Sequence, residues 1–508
     1  MSTKLIRGKY LIQDSEHVIP NGAVLIKDDE IIDVGTYENL KENNVDEVLG
    51  SDAYLVSPGF VNAHAHGKGL SDFQLGALDD FLEVWRFRLY PDIDDYYDSL
   101  WQAIKLLESG VTTTMHNHIF RYPDAYHEEI TPIIKAYQSA GIRLAFAPAV
   151  TDQNFIVYGN EEQFVNSLPS HLKTFAGTFR QKAAKFTSEK YFKAINELRS
   201  DYNNGKIKIM HGPLSPQWCS DDLLKEVKRD ADIHNMKIHI HVLQTMLQKM
   251  YGLRTYKKSL LEHLSDIGFL DKNVVCGHSV WLTDRDIELM ASTGTSVTHH
   301  ASCNLRVRNG ICPVFDLFKR GVTVAIGIDE KGLSDDEDMI EEMRLVSKLH
   351  RIPSHRLGSA YITPRDCFKM GTQNGAAVLG FDQEIGSLHK GKKADIVMIN
   401  LERISEPYIR PDQHVIDRLI YRGKAADVDT VLVDGEVIIK NHKFTKIDKD
   451  EVIRKLRESI PEEDSADVIQ MKGILSELKV EVIQYFSSWY DEMATNKIDP
   501  YYLFNNRL

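Results

Sequence analysis

Apolar residues fall in short runs that recur along the chain, separated by amphipathic stretches. The runs are Val56–His66, Val111–Met115, Arg143–Ala147, Ile207–Met210, Lys237–His241, Val274–Cys276, Ser296–Thr298 and Val322–Ile328. Runs this short and this apolar predict strands buried on both faces. Between them, Tyr97–Ser109, Ser220–Asn235 and Asp284–Ser292 carry apolar residues at helical spacing. Strand and helix alternating eight times over predict an α/β fold, a (β/α)8 TIM barrel, whose functional residues come from the C-terminal ends of its strands.

The two ends of the chain read differently. Tyr10–Ile12, Ala23–Ile26 and Ile31–Val34 are short apolar segments divided by Pro20-Asn21-Gly22 and Lys27-Asp28-Asp29-Glu30, the pattern of an antiparallel sheet. The same character returns in Ala394–Ile399 and Val428–Ile439. Residues 1–57 and 386–445 are therefore expected to build one small β-sandwich domain beside a barrel spanning 58–385. Residues 446–508 are charged, contain the helical-looking Ala466–Trp489 and end in the aromatic Pro500–Phe504. They are expected to form a helical extension that packs against the barrel or a neighbouring subunit.

Composition narrows the function. A chain of 508 residues, 43% hydrophobic and 27% charged, can bury a large core. Its net charge of −13 and lack of a basic tract argue against nucleic acid and for a small-molecule substrate. The first residues lack the apolar core of a signal peptide, and no run approaches the ~18 apolar residues of a membrane span. A cytoplasmic protein with no membrane partner is expected, assembled as a homodimer or higher homo-oligomer. The five cysteines show no CxxC spacing, which argues against a disulfide framework and a structural zinc knuckle. The paired HxE and PCxxC signature of base-flipping zinc deaminases is also absent.

His64 and His66, two apart on a strand, project to one side about 7 Å apart along the chain and can chelate one metal ion. His239 and His241 offer an imidazole at the end of another strand, and spacing does not choose between them. His278 ends a further strand, and Asp329 follows the last apolar run, where an unpartnered carboxylate is costly. Three strand-end imidazoles and a carboxylate suit a divalent metal that keeps a position open for water, zinc and ferrous iron both fitting. Such an ion lowers the pKa of its water toward neutrality, and a nearby carboxylate can take the proton. His116 and His118 form a second HxH that fits pocket lining better than a second metal site, and Trp85 and Phe87 could cover a flat ring.

The order PGFVNAHAHG, HIHV followed by QT, CGHS, SVTHHASCNLR, VAIGIDEKG and DMIEEMRL resembles the amidohydrolase superfamily, specifically its cytosine deaminase and chlorohydrolase-like branch of aminohydrolases. The resemblance runs over about residues 1–445, through GSLHKGKKADIVMIN and VDTVLVDGEVII. It implies that His64, His66, His241 and Asp329 hold one divalent ion per subunit, zinc, with ferrous iron the alternative. His241 is chosen because it stands three residues before the Gln-Thr pair. His278 resembles the family histidine that orients the water or polarises the substrate. His211 stands near the strand end where binuclear members carry a bridging modified lysine, so a mononuclear site is expected. His118, His211, His299, Asn304, Trp85 and Glu330 are the candidates for substrate contact.

The departures bear on the reaction. Family deaminases carry a glutamate where this chain has Gln244, and a glutamine can hydrogen-bond but cannot transfer a proton at neutral pH. Proton transfer then falls to Asp329 and His278, with Gln244 positioning the substrate. The usual Ser-His-Cys-Pro-x-Ser-Asn is here Thr298-His299-His300-Ala301-Ser302-Cys303-Asn304. Glu330 replaces a glycine, and either binds a cationic group or pairs with Lys331 or Arg306. The resulting expectation is a metal-dependent hydrolase attacking a carbon bearing nitrogen, outside peptides, in a small heterocycle or amide-like compound. The alternatives are ammonia release from an N-heterocycle, dehalogenation, and a barrel that binds metal without catalysis.

Overall fold

The computed structural model of the chain describes residues 2–77, 79–89, 91–122, 125–351 and 360–495. Eight parallel strands, Phe60–Asn62, Val111–His118, Arg143–Val150, Ile207–Ile209, Ile238–Val242, Val274–His278, Ser296–His299 and Val324–Ile326, form the barrel in that order. The first four pair in one set, with Gly212–Pro213 added to the third, and the last four in another. Single bridges join the sets, Ala65 to Asp329 on one side and His211 to Ile238 on the other. The fold is thus the expected α/β barrel, with its strands buried on both faces.

Local chemistry sets the helix ends. Asp94 accepts from Tyr96 and Tyr97 N–H at 3.0 and 3.1 Å and so starts the helix Asp95–Glu108. Ser220 starts Asp221–His234 in the same way, and Asn235, left-handed at φ 49°, ends it.

The apolar run Val56–His66 is divided. Glu47–Pro58 belongs to the sheet of the chain ends, and the barrel begins only at Phe60. Gly59 makes the junction possible, because a Cβ there would meet Thr112 Oγ1 at 2.1 Å. The last barrel strand is likewise shorter than its apolar run, leaving Ile328 and Asp329 beyond it.

Strands from both ends of the chain pair into one nine-stranded sheet, joined where Ile396–Asn400 runs antiparallel to Glu47–Pro58. Leu5 and Ile6, Ala23 and Val24, and Leu25 and Ile26 alternate between two apolar clusters, so both faces of the sheet are packed. Arg143, at the start of the third barrel strand and 1% exposed at its side chain, donates to Asp395 at 3.1 Å and to Asp434. This pairing ties the base of the barrel to the sheet.

The last described element is the helix Ala466–Thr495. Its Tyr485 hydroxyl donates to the Tyr158 carbonyl at 2.8 Å, and Phe486 packs on the Tyr158 ring. The aromatic end at 500–504 lies outside the described residues. Among the described residues no helix is long and apolar enough to cross a membrane.

Candidate metal centre and cavity

The ends of the first, fifth, sixth and eighth strands converge on one point. His64 and His66 Nε2 lie 3.5 and 3.4 Å from Asp329 Oδ1, while His278 Nε2 lies 3.6 Å from Oδ2. One nitrogen each of His64, His66 and His241 lie within 4.8 Å of one another. Four ligands on ~2.1 Å bonds to a tetrahedral ion stand about 3.4 Å apart, so these gaps fit an ion between the groups.

Hydrogen bonding fixes which nitrogens are free. His66 Nδ1–H donates to the Asn117 carbonyl at 3.0 Å and His241 Nδ1–H to the Leu214 carbonyl at 2.7 Å. Each Nε2 is thus the nitrogen left over for a ligand, and that of His66 faces a carboxylate oxygen. An Nε2 that faces a carboxylate oxygen at 3.4 Å leaves room between them for a cation, a proton or a metal ion. His64 is fully buried and neither of its nitrogens has a hydrogen-bond partner in the protein. A buried imidazole without a partner is costly, and a metal on Nε2 removes half of that cost. The donor set fits a divalent ion.

Electrostatics agrees with metal ligation. Burial drives His64 down to about 3, helped by His300, although Asp329 pulls the other way. Burial likewise holds His241 well below the ordinary range and His278 at about 4. Burial alone would raise Asp329, but His64 and His300 outweigh it and keep the carboxyl ionised well below its ordinary range. Neutral imidazoles around a carboxylate are the protonation states a metal needs. His278 and Asp329 adopt φ of 64° and 69°, left-handed conformations that cost of order 1 kcal/mol for such residues. Asp329 is held there by its N–H donating to the His64 carbonyl at 2.9 Å.

A cavity of about 640 Å³ opens onto this point. His66, His241, His278 and Asp329 form its floor, and Gln244 stands beside them. Trp85, Phe87, His118, Phe120, Phe186 and Trp218 give it aromatic walls. Glu330 also faces the cavity but pairs with Lys68 at 3.2 Å and Arg88 at 3.7 Å. Lys331 instead pairs with Glu337, and Arg306 with Asp79 at 2.9 Å, so neither is the partner of Glu330. Burial raises Glu330, yet Lys68 and Arg88 hold it down at about 2. Its charge is thus already neutralised within the protein.

The remaining predicted contact residues divide. His118 and Trp85 line the cavity, His118 also meeting Glu129 at 3.1 Å. His211, His299 and Asn304 are not among the lining residues. His211 is buried between Tyr191 and Asp230, at 3.0 and 2.9 Å. His299 meets His350 at 2.8 Å on the outer side of its strand. Asn304 accepts from His278 Nδ1–H at 2.9 Å, and so orients that ring from behind.

One residue went unselected in the sequence. His300 Nδ1 lies 3.3 Å from Asp329 Oδ2, and its ring stacks on His64 with centroids 4.3 Å apart. Strand periodicity places residues 298 and 300 on one face and 299 on the other, which was the available signal.

Fold and site together define a barrel hydrolase built around a metal-binding cluster of histidines and an aspartate. Residues 55–438 match the model of the amidohydrolase family, and the chain belongs to that family. It acts as a hydrolase on carbon–nitrogen bonds other than peptide bonds. It is 32% identical over 470 residues to a 5'-deoxyadenosine deaminase of Methanobrevibacter smithii, covering 91% of this chain and 98% of that protein. A zinc-bound adenosine deaminase from Xanthomonas campestris superposes with a TM-score of 0.74 at 22% identity, covering 93% and 98% of the two chains. A zinc-complexed atrazine chlorohydrolase from Arthrobacter aurescens gives 0.75 at 20% identity, covering 90% and 100%.

Proposed function

We propose that the chain hydrolyses a substituent from a ring carbon of a flat nitrogen heterocycle of nucleoside size, using one zinc ion held by His64, His66, His241 and Asp329. The observation that carries this reading is the convergence of His64, His66 and His278 Nε2 on the Asp329 carboxylate at 3.5, 3.4 and 3.6 Å, beneath an aromatic-walled cavity. The deaminase named among the relatives supports an amino substituent.

A divalent ion in that position supplies Lewis acidity that brings a water toward deprotonation at neutral pH. The Asp329 carboxylate, held ionised, accepts the water's proton. His278, oriented by Asn304, presents Nε2 to the other oxygen of Asp329, where it can take up the water's proton and then stabilise developing charge on the ring. Gln244 orients the ring through its amide, and Trp85 and Phe87 cover it. Because Gln244 cannot protonate the departing group, the one proton Asp329 took from water is passed on to it, with His278 Nε2, 3.6 Å from the carboxylate, as relay. The same residue favours a second reading, displacement of a better leaving group such as halide, which departs without a proton. Cytoplasmic location and homo-oligomeric assembly complete the proposal, and sedimentation of the purified protein measures the assembly.

The test is turnover of a panel of amino- and halo-substituted heterocycles by zinc-loaded protein, with ammonia, halide and ring-opened product quantified and Asp329→Asn as control. Ammonia lost in the control supports deamination, and halide alone supports the second reading. Activity that survives Asp329→Asn, or loss of both His64 and His66, overturns the proposal.

A further inference from the structure

His64 stands between two other imidazoles. The His239 ring stacks on one face at 4.6 Å and 14°, and the His300 ring on the other at 4.3 Å and 11°. A single hydroxyl joins the outer rings, since Thr298 Oγ1 lies 3.2 Å from His239 Nε2 and 3.0 Å from His300 Nε2. The backbone makes room for this stack at Gly327, where a Cβ would meet His64 Cβ at 2.8 Å and His300 Cδ2 at 3.1 Å.

His300 also reaches the carboxylate. Its Nε2 can accept from the Thr298 hydroxyl, which in turn accepts from His239 Nε2–H. That arrangement leaves the hydrogen of His300 on Nδ1, which lies 3.3 Å from Asp329 Oδ2 and 3.3 Å from His278 Nδ1. Oδ2 thus faces His300 and His278, and Oδ1 is turned toward His64 and His66. All four groups are at least 97% buried or lie on a fully buried strand, so water does not compete for these bonds.

We propose that His300, with Thr298 and His239, is a clamp that fixes two metal ligands at once, holding the His64 ring in its plane and rotating the Asp329 carboxylate into position. In this assignment His300 is a positioning residue for the ligands His64 and Asp329. The inference rests on the metal-centre reading above. Outer groups that orient metal ligands typically contribute about 10–100-fold to metal affinity.

The test measures zinc affinity of the full-length protein by competition with a chromogenic chelator, and the visible spectrum of its cobalt(II) form. His300→Ala is expected to weaken zinc by ~10–100-fold and to shift the cobalt bands. His300→Asn, whose amide reaches the place of Nδ1, is expected to recover most of both. A folded His300→Ala protein with parental zinc affinity and cobalt spectrum overturns the clamp. If that variant does not fold, Thr298→Val decides, because it removes only the linking hydroxyl. A weakened affinity with shifted bands there supports the clamp, and parental values overturn it. A parent protein that binds no stoichiometric zinc overturns the metal-centre reading itself.

Discussion

Replacing Gln244 by glutamate tests what the leaving group needs. Gln244 lines the cavity beside His241, His278 and Asp329 and is 5% exposed. Its backbone N–H donates to Gln248 Oε1 at 2.8 Å, and the next residue, Thr245, donates its hydroxyl to buried Glu83 at 2.5 Å. The loop is therefore held by groups other than the Gln244 side chain, and an isosteric exchange leaves it in place. The new carboxyl sits in a buried site on the cavity that Asp329 also lines, and burial raises its pKa toward the working range of a general acid. General acid catalysis contributes roughly 10²–10⁴-fold. We take the lower end, about 100-fold or ~2.7 kcal/mol, because the surrounding groups are arranged for an amide. Burial of the carboxyl costs about 1–3 kcal/mol of stability. Steady-state kinetics on paired substrates, one with an amino and one with a halide leaving group, measures the effect. The kcat for ammonia release should rise, and that for halide should not. Unchanged or lower ammonia release at full zinc content refutes the argument that the missing acid limits the reaction.

Other perturbations address the support of the site. Arg143→Met should destabilise the fold by about 3–5 kcal/mol, because it leaves Asp395 buried without its cation; the urea midpoint reports it. Asn304→Ala releases the His278 ring and should lower kcat about 10-fold or more with little change in KM, a split that a steady-state titration resolves. Metal-free protein should lose stability as the pH falls from 6.5 toward 4, because His64, His278 and His300 are held at about 3, 4 and 4 by burial first of all. Unfolded histidines take up protons below about 6.5 that the folded chain refuses, so the stability is complete above that pH and lost below it. A urea midpoint that is flat across this window contradicts the assignment.

Much of this arrangement was legible in the sequence because its signals are local. The HxH at 64 and 66 follows an apolar strand, and Asp329 ends another, so period-2 geometry already aims them at one end of the barrel. What stayed hidden depends on long-range pairing. Glu330 meets Lys68 and Arg88, brought from a loop more than 200 residues away in sequence, whereas the nearby Lys331 and Arg306 looked equally suitable. His299 and His300 are adjacent, and family likeness pointed to His299. The pleat turns His299 outward to His350 and His300 inward to Asp329. The junction at Gly59 was also invisible, because one continuous apolar run serves two different sheets.

The barrel's construction gives the metal a mechanical role as well as a chemical one. Within each set of four strands, neighbours pair along several residues, as Ile238–Val242 does with Val274–His278. The seam between the first and eighth strands holds far less, with Ala63 N–H to the Ile326 carbonyl at 3.0 Å, Asp329 N–H to the His64 carbonyl at 2.9 Å, and Ile328 N–H to Asn62 Oδ1 at 2.8 Å. His64 and His66 stand on one side of that seam and Asp329 on the other, while His241 belongs to the second set of strands. An ion bound by all four cross-links the two halves of the barrel at one of the two seams where strand pairing is thinnest. Folded protein alone offers this site, so zinc at ~1,000 times its dissociation constant should add about 4 kcal/mol of stability. Thermal melts of chelator-treated protein, repeated with zinc titrated back, should show the midpoint rising with zinc. Hydrogen exchange should slow most at residues 326–329 and 63–66. Exchange that slows elsewhere but not at this seam removes the cross-link from the account, and a midpoint indifferent to stoichiometric zinc removes the metal centre with it.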